Sequence, residues 1–381
     1  MINWPEEAQA ALVRVRISAD ALANDSPGAW ADGKHVWVPK AVLSREHYNR
    51  GVVRLEALRT SLAADAAAKL RMHCAYTPRR PLAARLPVSY HRVPAPLRSL
   101  AAAAGARGRR SALEGRASFP GWPLDLSADF VADLAGDEPI WQTGPTPVLL
   151  THDVDCPAAL RDLPTLLDLE QEYGGRSATF VVPCGWRLDA GLLRELRLRG
   201  GELGTHGFDH SNRTPFMSAP EIERRLDAGL AALAEHHPLG YRSPSLIQTQ
   251  PLVDALATRY RFDSSIATSG GLFPVAGTGC ASARPFRLGG LIEIPVSLPR
   301  DGSLRFLGYS RAEILALWQQ CSEEIRRAGG VVCLLTHPDR RFTGGPDLLP
   351  AYRDFVEWLA SQPGFAFALP AEILPKVGPE R

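Results

Sequence analysis

The stretch Val148-Leu149-Leu150-Thr151-His152-Asp153-Val154-Asp155 decides how this chain is read. A short apolar run ends abruptly in two carboxylates at i and i+2. Alternate residues of a strand share a face, so Asp153 and Asp155 are expected to point the same way. Two like charges that close are costly unless a cation sits with them. A divalent metal would relieve the pair, and its other ligands can be sought along the rest of the chain.

Downstream of this strand, apolar β-runs alternate with helical segments. Strands are expected at 148–151, 178–182, 202–205, 262–265, 291–298, 331–336 and 365–369, with a further one ending at Arg242. Helices are expected at 163–172, 190–199 and 219–235, and the pairs Gly174-Gly175 and Gly200-Gly201 act as stop signals. Such alternation means seven or eight parallel β/α units, hence an irregular (β/α) barrel over residues 141–381. Barrel chemistry sits at the C-terminal ends of strands, where Asp153, Asp155, His206, Arg242 and His337 all fall.

Residues 1–140 read as an accessory N-terminal region without a fold assignment. A strand is expected at 35–38, helical spacing runs through 41–72, and Ser127 is placed to cap a helix over 128–135. Between 66 and 113 there are ten Lys or Arg and no Asp or Glu. That stretch is either a patch for an anionic partner, such as a nucleotide-linked or lipid-linked sugar, or a solvated basic surface. Residues 101–110 are low in complexity and read as a loop.

Composition bounds the rest. The chain has 381 residues, 45% hydrophobic and 22% charged, with net charge +2, so no overall field favours nucleic acid. No apolar run reaches the roughly 18–20 residues of a membrane span, and the first residues lack signal-peptide character. Six scattered cysteines without a CxxC read as thiols in a reducing compartment, which makes cytoplasmic the expected location. No glycine-rich phosphate loop indicates a nucleotide cofactor.

His206-Gly207-Phe208-Asp209-His210 sets two histidines four apart at a strand end. Two imidazoles and one carboxylate make a three-ligand site with open positions, the form taken by catalytic zinc or a related divalent ion. Arg242, in Tyr241-Arg242-Ser243-Pro244-Ser245, is placed to hold Asp153 ionised. Leu334-Leu335-Thr336-His337-Pro338 is an apolar strand ending in a histidine. Glu293 interrupts an apolar run, either as a substrate contact at the barrel mouth or as a salt-bridged structural carboxylate. Cys156 reads as a packed thiol.

Taken together, these motifs resemble the NodB-type polysaccharide deacetylase family, carbohydrate esterases that remove acetyl groups from sugars. The resemblance spans about 146–373 and rests on Thr151-x-Asp153-x-Asp155, His206-x-x-x-His210, Arg242-x-Pro244 and Leu335-x-His337, in that order. Phe262-Asp263-Ser264-Ser265 also looks like the family's aromatic-Asp-Ser-Ser strand. The resemblance implies that Asp155, His206 and His210 hold the metal and that Asp153 is the general base, tethered by Arg242. It implies His337 as general acid and the amide of Ser245 as an oxyanion donor. The sequence departs from the family at His152, Cys156 and Gly207, and it lacks the Asp-Trp motif that tunes the acid histidine; Asp263 is a weak stand-in. The expected function is a metal-dependent hydrolase, zinc by default, acting on an N-acetylated sugar in surface polysaccharide synthesis. Two alternatives stay open: a hydrolase of non-sugar C–N bonds on the same barrel, and a non-catalytic glycan-binding relative.

Overall fold

The computed structural model describes residues 12–16, 35–39, 65–85, 109–115, 118–137, 139, 141, 143–270 and 277–377. The helical spacing over 41–64, the loop at 101–108 and the arginines of the basic stretch at positions 92, 98 and 107 lie outside these residues.

The central sheet is built on β3 (Thr146–Val154), every residue of which is buried. Parallel partners follow in sequence order: β4 (Ser177–Val181), β5 (Glu202–His206), β6 (Gly240–Arg242) and β7 (Phe262–Asp263). β8 (Phe286–Leu288) and β9 (Leu291–Glu293) form a hairpin whose second strand runs parallel to β7. β10 (Val332–Thr336) and β11 (Phe365–Phe367) both pair in parallel with β3, completing nine strands. The chain after β9 spans the gap to β10, since Ser297 N and Leu298 N both donate to the Cys333 carbonyl at 3.1 Å. The result is an irregular (β/α) barrel.

Two details depart from the sequence reading. β8 was not expected; it runs antiparallel to β9, its tight hairpin partner. The strand expected over 291–298 is regular only to Glu293, because Pro295 has no N–H to continue a ladder. Beyond it, Ile294 N and Val296 N still donate to Asp263 O (2.8 Å) and Ile266 O (2.9 Å).

Helices cover the outside. α1 (Ala66–Met72) and α2 (Ser127–Leu134) precede the barrel strands, and α3 (Pro157–Glu172) and α4 (Ala190–Leu198) follow β3 and β4. α5 (Ala219–Ala232) follows β5; α6 (Asp301–Phe306), α7 (Arg311–Arg327) and α8 (Leu349–Ser361) flank β10. α3 starts earlier than its apolar periodicity suggests because Pro157 occupies the first helical turn, where its missing N–H costs nothing. Gly200, at φ +77°, ends α4 as its Gly-Gly pair predicts.

Strand alternation sorts β3 into two faces. Leu149 packs inward with Phe180, Phe262 and Cys333, while Val148 and Leu150 pack outward. That outer core also takes in Leu12 of β1 (Leu12–Arg16), Val36 and Val38 of β2 (His35–Pro39), and Phe130 of α2. α2 is tied down by polar bonds as well. Ala128 N donates to Ala281 O, Ala283 N donates to Asp129 Oδ2 at 2.8 Å, and Arg284 pairs with Asp133 at 2.6 Å. Ser127 does not cap this helix; its hydroxyl donates to Asp125 Oδ1 at 2.5 Å and accepts from Trp37 N at 2.9 Å. None of the six cysteines is in a disulfide, and among the described residues no helix is long and apolar enough to cross a membrane.

Candidate active site

The inward face of β3 carries Thr151 and Asp153, and Asp155 follows just past the strand end. β5 delivers His206 and β6 delivers Arg242 in register beside it. The chain then turns through Gly207, so that His210 comes back beside Asp155. One carboxylate oxygen of Asp155 lies 3.2 Å from His206 Nε2 and 3.1 Å from His210 Nε2. One donor atom from each of Asp155, His206 and His210 falls within 4.8 Å of the others.

The set fits a divalent metal on its own chemistry. His206 Nδ1 is 3.0 Å from the Arg242 carbonyl, which places the ring proton on Nδ1 and leaves the Nε2 lone pair facing Asp155. That buried Nε2 has no partner of hydrogen-bonding geometry among the described residues. A lone pair aimed at a carboxylate is unfavourable without a cation between them, and two nitrogens with one oxygen suit zinc and its neighbours. Burial would push the Asp155 carboxyl up, yet the charges of His210 foremost and then His337 hold it well below the usual range.

Asp153 sits beside this triad, its Oδ2 3.7 Å from His206 Nε2. Arg242, fully buried, donates from Nη1 to Asp153 Oδ1 (3.0 Å) and to Thr151 Oγ1 (2.8 Å). Its Nε and Nη2 donate to the carbonyl and hydroxyl of Ser264, both at 2.8 Å, and its guanidinium lies over Phe180 at 4.1 Å. A buried cation held at every edge keeps both its own place and that of its carboxylate.

His337 enters from the end of β10, its Nε2 3.9 Å from Asp155 Oδ2. Behind it stands a residue that the sequence reading missed. Asp301, at the start of α6, accepts from His337 N at 2.8 Å and is bonded to His337 Nδ1 at 2.7 Å. Thr343 Oγ1 and Gly302 N also donate to it, at 2.8 and 2.6 Å, and Thr343 N does so at 3.4 Å. Burial alone disfavours the His337 imidazolium, but Asp301 foremost, then Asp155 and Asp153, outweigh it and raise the group to about 9.

Asp263 does not reach His337. It accepts from Ser265 Oγ at 2.5 Å and from Gln248 Nε2, and it lies beside Glu293 in the β7–β9 register. Glu293 is buried, not a mouth contact, and has no salt bridge among the described residues; it accepts from Ser265 N (3.1 Å) and Ile266 N (2.8 Å). Burial raises both carboxyls, Asp263 to about 6; the neighbouring Asp263 pushes Glu293 up further, while a hydrogen bond from Glu293 works against the rise of Asp263.

Ser245 occupies the turn after β6 with φ +59°, and its hydroxyl accepts from Asn212 Nδ2 at 3.1 Å. It lines a cleft with Leu246, Ser265 and Val296, closed on one side by Ala75 and Trp122 of the N-terminal region. Positive φ recurs nearby at His210, Asn212 and Leu246, a concentration of backbone strain of the kind functional sites hold. Gly207 has φ +65°, and a Cβ there would stand 2.6 Å from the ring of Pro244. A hydroxyl residue cannot follow His206 in this turn, which accounts for one departure from the family pattern. His152 faces the opposite way, bonded to Thr336 Oγ1 (2.8 Å) and Glu170 (2.7 Å), with Tyr352 donating to the same Glu170. Cys156 is half-buried, and burial pushes its thiol up, as suits a packed residue and not a nucleophile.

Compared by sequence, the chain matches no family model and no curated protein. Compared by structure, it is similar to a Mycobacterium smegmatis protein assigned as a polysaccharide deacetylase, at TM-score 0.52 and 23% identity. That match covers 63% of this chain and 95% of the other. It is also similar to Puue allantoinase, at TM-score 0.53 and 12% identity, covering 67% of this chain and 97% of the other. The fold is that of the polysaccharide deacetylase type.

Proposed function

We propose that this chain is a metal-dependent hydrolase that removes the acetyl group from an N-acetylated sugar. The observation that carries the reading is the convergence of Asp155, His206 and His210, flanked by a tethered carboxylate on one side and a carboxylate-backed imidazole on the other. Asp155, His206 and His210 would hold the ion, with zinc the best match to their donors. When bound, such an ion lowers the pKa of water toward neutrality and polarises a carbonyl.

The remaining steps belong to side chains. Asp153 takes the proton of the attacking water, and Arg242 keeps that carboxylate aimed. The N–H of Ser245 donates to the oxyanion as the carbonyl becomes tetrahedral. His337, with Nδ1 bonded to Asp301, presents Nε2 to the departing nitrogen and gives it a proton. The residue set is complete for hydrolysis, which argues against a pure glycan binder. An intermediate of surface polysaccharide synthesis is the substrate this reading favours, met in the cytoplasm.

One observation favours a second reading. By TM-score the likeness to Puue allantoinase (0.53) matches that to the deacetylase (0.52), at lower identity, so hydrolysis of a non-sugar C–N bond is carried beside the first. A panel of N-acetyl sugars against small cyclic amides, with acetate and ammonia measured, separates the two. Near-stoichiometric metal in the parent, lost in His206→Ala and His210→Ala, is the expected companion result. Absence of metal after incubation with zinc or cobalt would overturn the metal-dependent reading and leave the metal-independent hydrolase or the glycan-binding protein.

A further inference from the structure

The residues that follow Asp155 and His337 in the chain line an open cleft of about 500 Å³ that the chemistry above leaves unused. It is lined by Cys156, Arg161, Asp162, Asp339, Arg340 and Arg341. Its walls are therefore chain neighbours of the reacting groups: Cys156 follows Asp155, and Asp339 is two residues after His337.

The three guanidiniums are not equally engaged. Arg341 is held bidentately by the buried Asp339, with Nε 3.1 and 3.2 Å from its two oxygens, and is thereby fixed in position. Arg340 approaches Asp162 only at 3.9 Å and stands largely in solvent. Arg161 is exposed and has no carboxylate within ion-pair distance among the described residues. Surface arginines normally settle on a nearby carboxylate; here three line one concavity against two carboxylates, and only one pair is tight. That is the arrangement of a receptor for an anion, since guanidinium matches phosphate and carboxylate geometry and is weakly hydrated.

We propose that this cleft binds an anionic substituent, phosphate or carboxylate, of the sugar whose amine is released at His337. The inference rests on the deacetylase reading and adds a substrate class to it. It also moves the anionic partner from the basic N-terminal stretch to the barrel rim. His337 protonates the leaving group, so the rest of the sugar must extend away on the His337 side, toward Arg340 and Arg161. The acetyl carbon lies on the other side of the scissile bond and needs no such cleft.

The full-length, zinc-loaded protein is titrated with inorganic phosphate by calorimetry, beside Arg161→Ala/Arg340→Ala and Arg161→Lys/Arg340→Lys. Both positions are exposed, so the fold is expected to survive, and thermal melts check this. Tenfold or greater weakening in the alanine variant, partly restored by lysine, is the expected result. Any anion ligation by zinc is common to all three proteins and cancels. Equal affinities, or no binding to the parent, overturn the proposal. In parallel, KM is measured for an N-acetylhexosamine 1-phosphate, an N-acetylhexosaminuronate and a neutral methyl glycoside. The ratio of anionic to neutral KM should rise at least tenfold in the alanine variant, and whichever anion shows the rise identifies the substituent. An unchanged ratio overturns the proposal. If the parent releases acetate from none of the sugars, the deacetylase reading falls, while the phosphate titration still decides the site.

Discussion

At the scale of single residues, the candidate site was legible wherever a titratable group closes a strand. Asp153, Asp155, His206, Arg242 and His337 each follow an apolar run, and the barrel brings those run ends together. Asp301 was not legible. It lies 36 residues from the histidine it serves, and its local sequence marks only an acidic start to a short helix. Its five bonds, two of them to His337, make it a positioning residue for His337 on the proposed reading. Asp301→Asn replaces two acceptor lone pairs with donors that face N–H groups. The expected outcome is a fall in kcat of about 10²-fold, the lower range for losing an oriented acid, with KM moved much less. Metal content should stay at the parent level. Loss of metal, or an unchanged kcat, would assign Asp301 a purely structural part.

At the scale of elements, long strands and helices followed their periodicity, whereas short ones did not. β8 and β9 are three residues each, too short to show alternation, and their pairing depends on what lies across the sheet. β5 holds a further feature that periodicity hides. Its last residue is His206, but its first, Glu202, is buried at the opposite end, accepting from Ala371 N at 3.0 Å through Oε2. Oε1 has no partner among the described residues. Burial, with a smaller push from Glu372, raises this carboxyl to about 7. The folded state then holds a proton that the unfolded chain releases near its ordinary value of 4.5. Stability therefore falls as pH climbs from about 4.5 through 7, by roughly 3 kcal/mol in total. Glu202→Gln should flatten that slope, raising Tm clearly at pH 8 and little at pH 5. A Tm gain that is equal at both pH values would contradict the burial account.

At the scale of the whole molecule, the composition change near residue 140 suggested an accessory region beside a barrel. The core does not respect that line. Leu12, Val36, Val38, Leu70, Phe119 and Phe130 belong to the same apolar cluster as Val148, Leu150, Trp318 and Tyr352. Contacts of that range leave no local pattern, since an Ala- and Arg-rich segment looks the same whether it packs on a barrel or on itself. A chain of residues 141–381 would expose this surface and leave the Ala283 N–H and the Arg284 charge without Asp129 and Asp133. It is expected to aggregate or to melt without a cooperative transition, while the full chain melts in one. Calorimetry of both chains tests this, and a cooperative melt of the shorter one would establish an independent barrel.

Arg242 serves the site twice, by two different parts. Its guanidinium holds Asp153, but it is its backbone carbonyl that orients His206. Any residue at 242 keeps that carbonyl. A lineage could therefore lose the base's tether in a single substitution while the imidazole beside it stays aligned. On the proposed reading, turnover and metal retention are thus heritable separately, and a descendant could hold its ion long after its activity was lost.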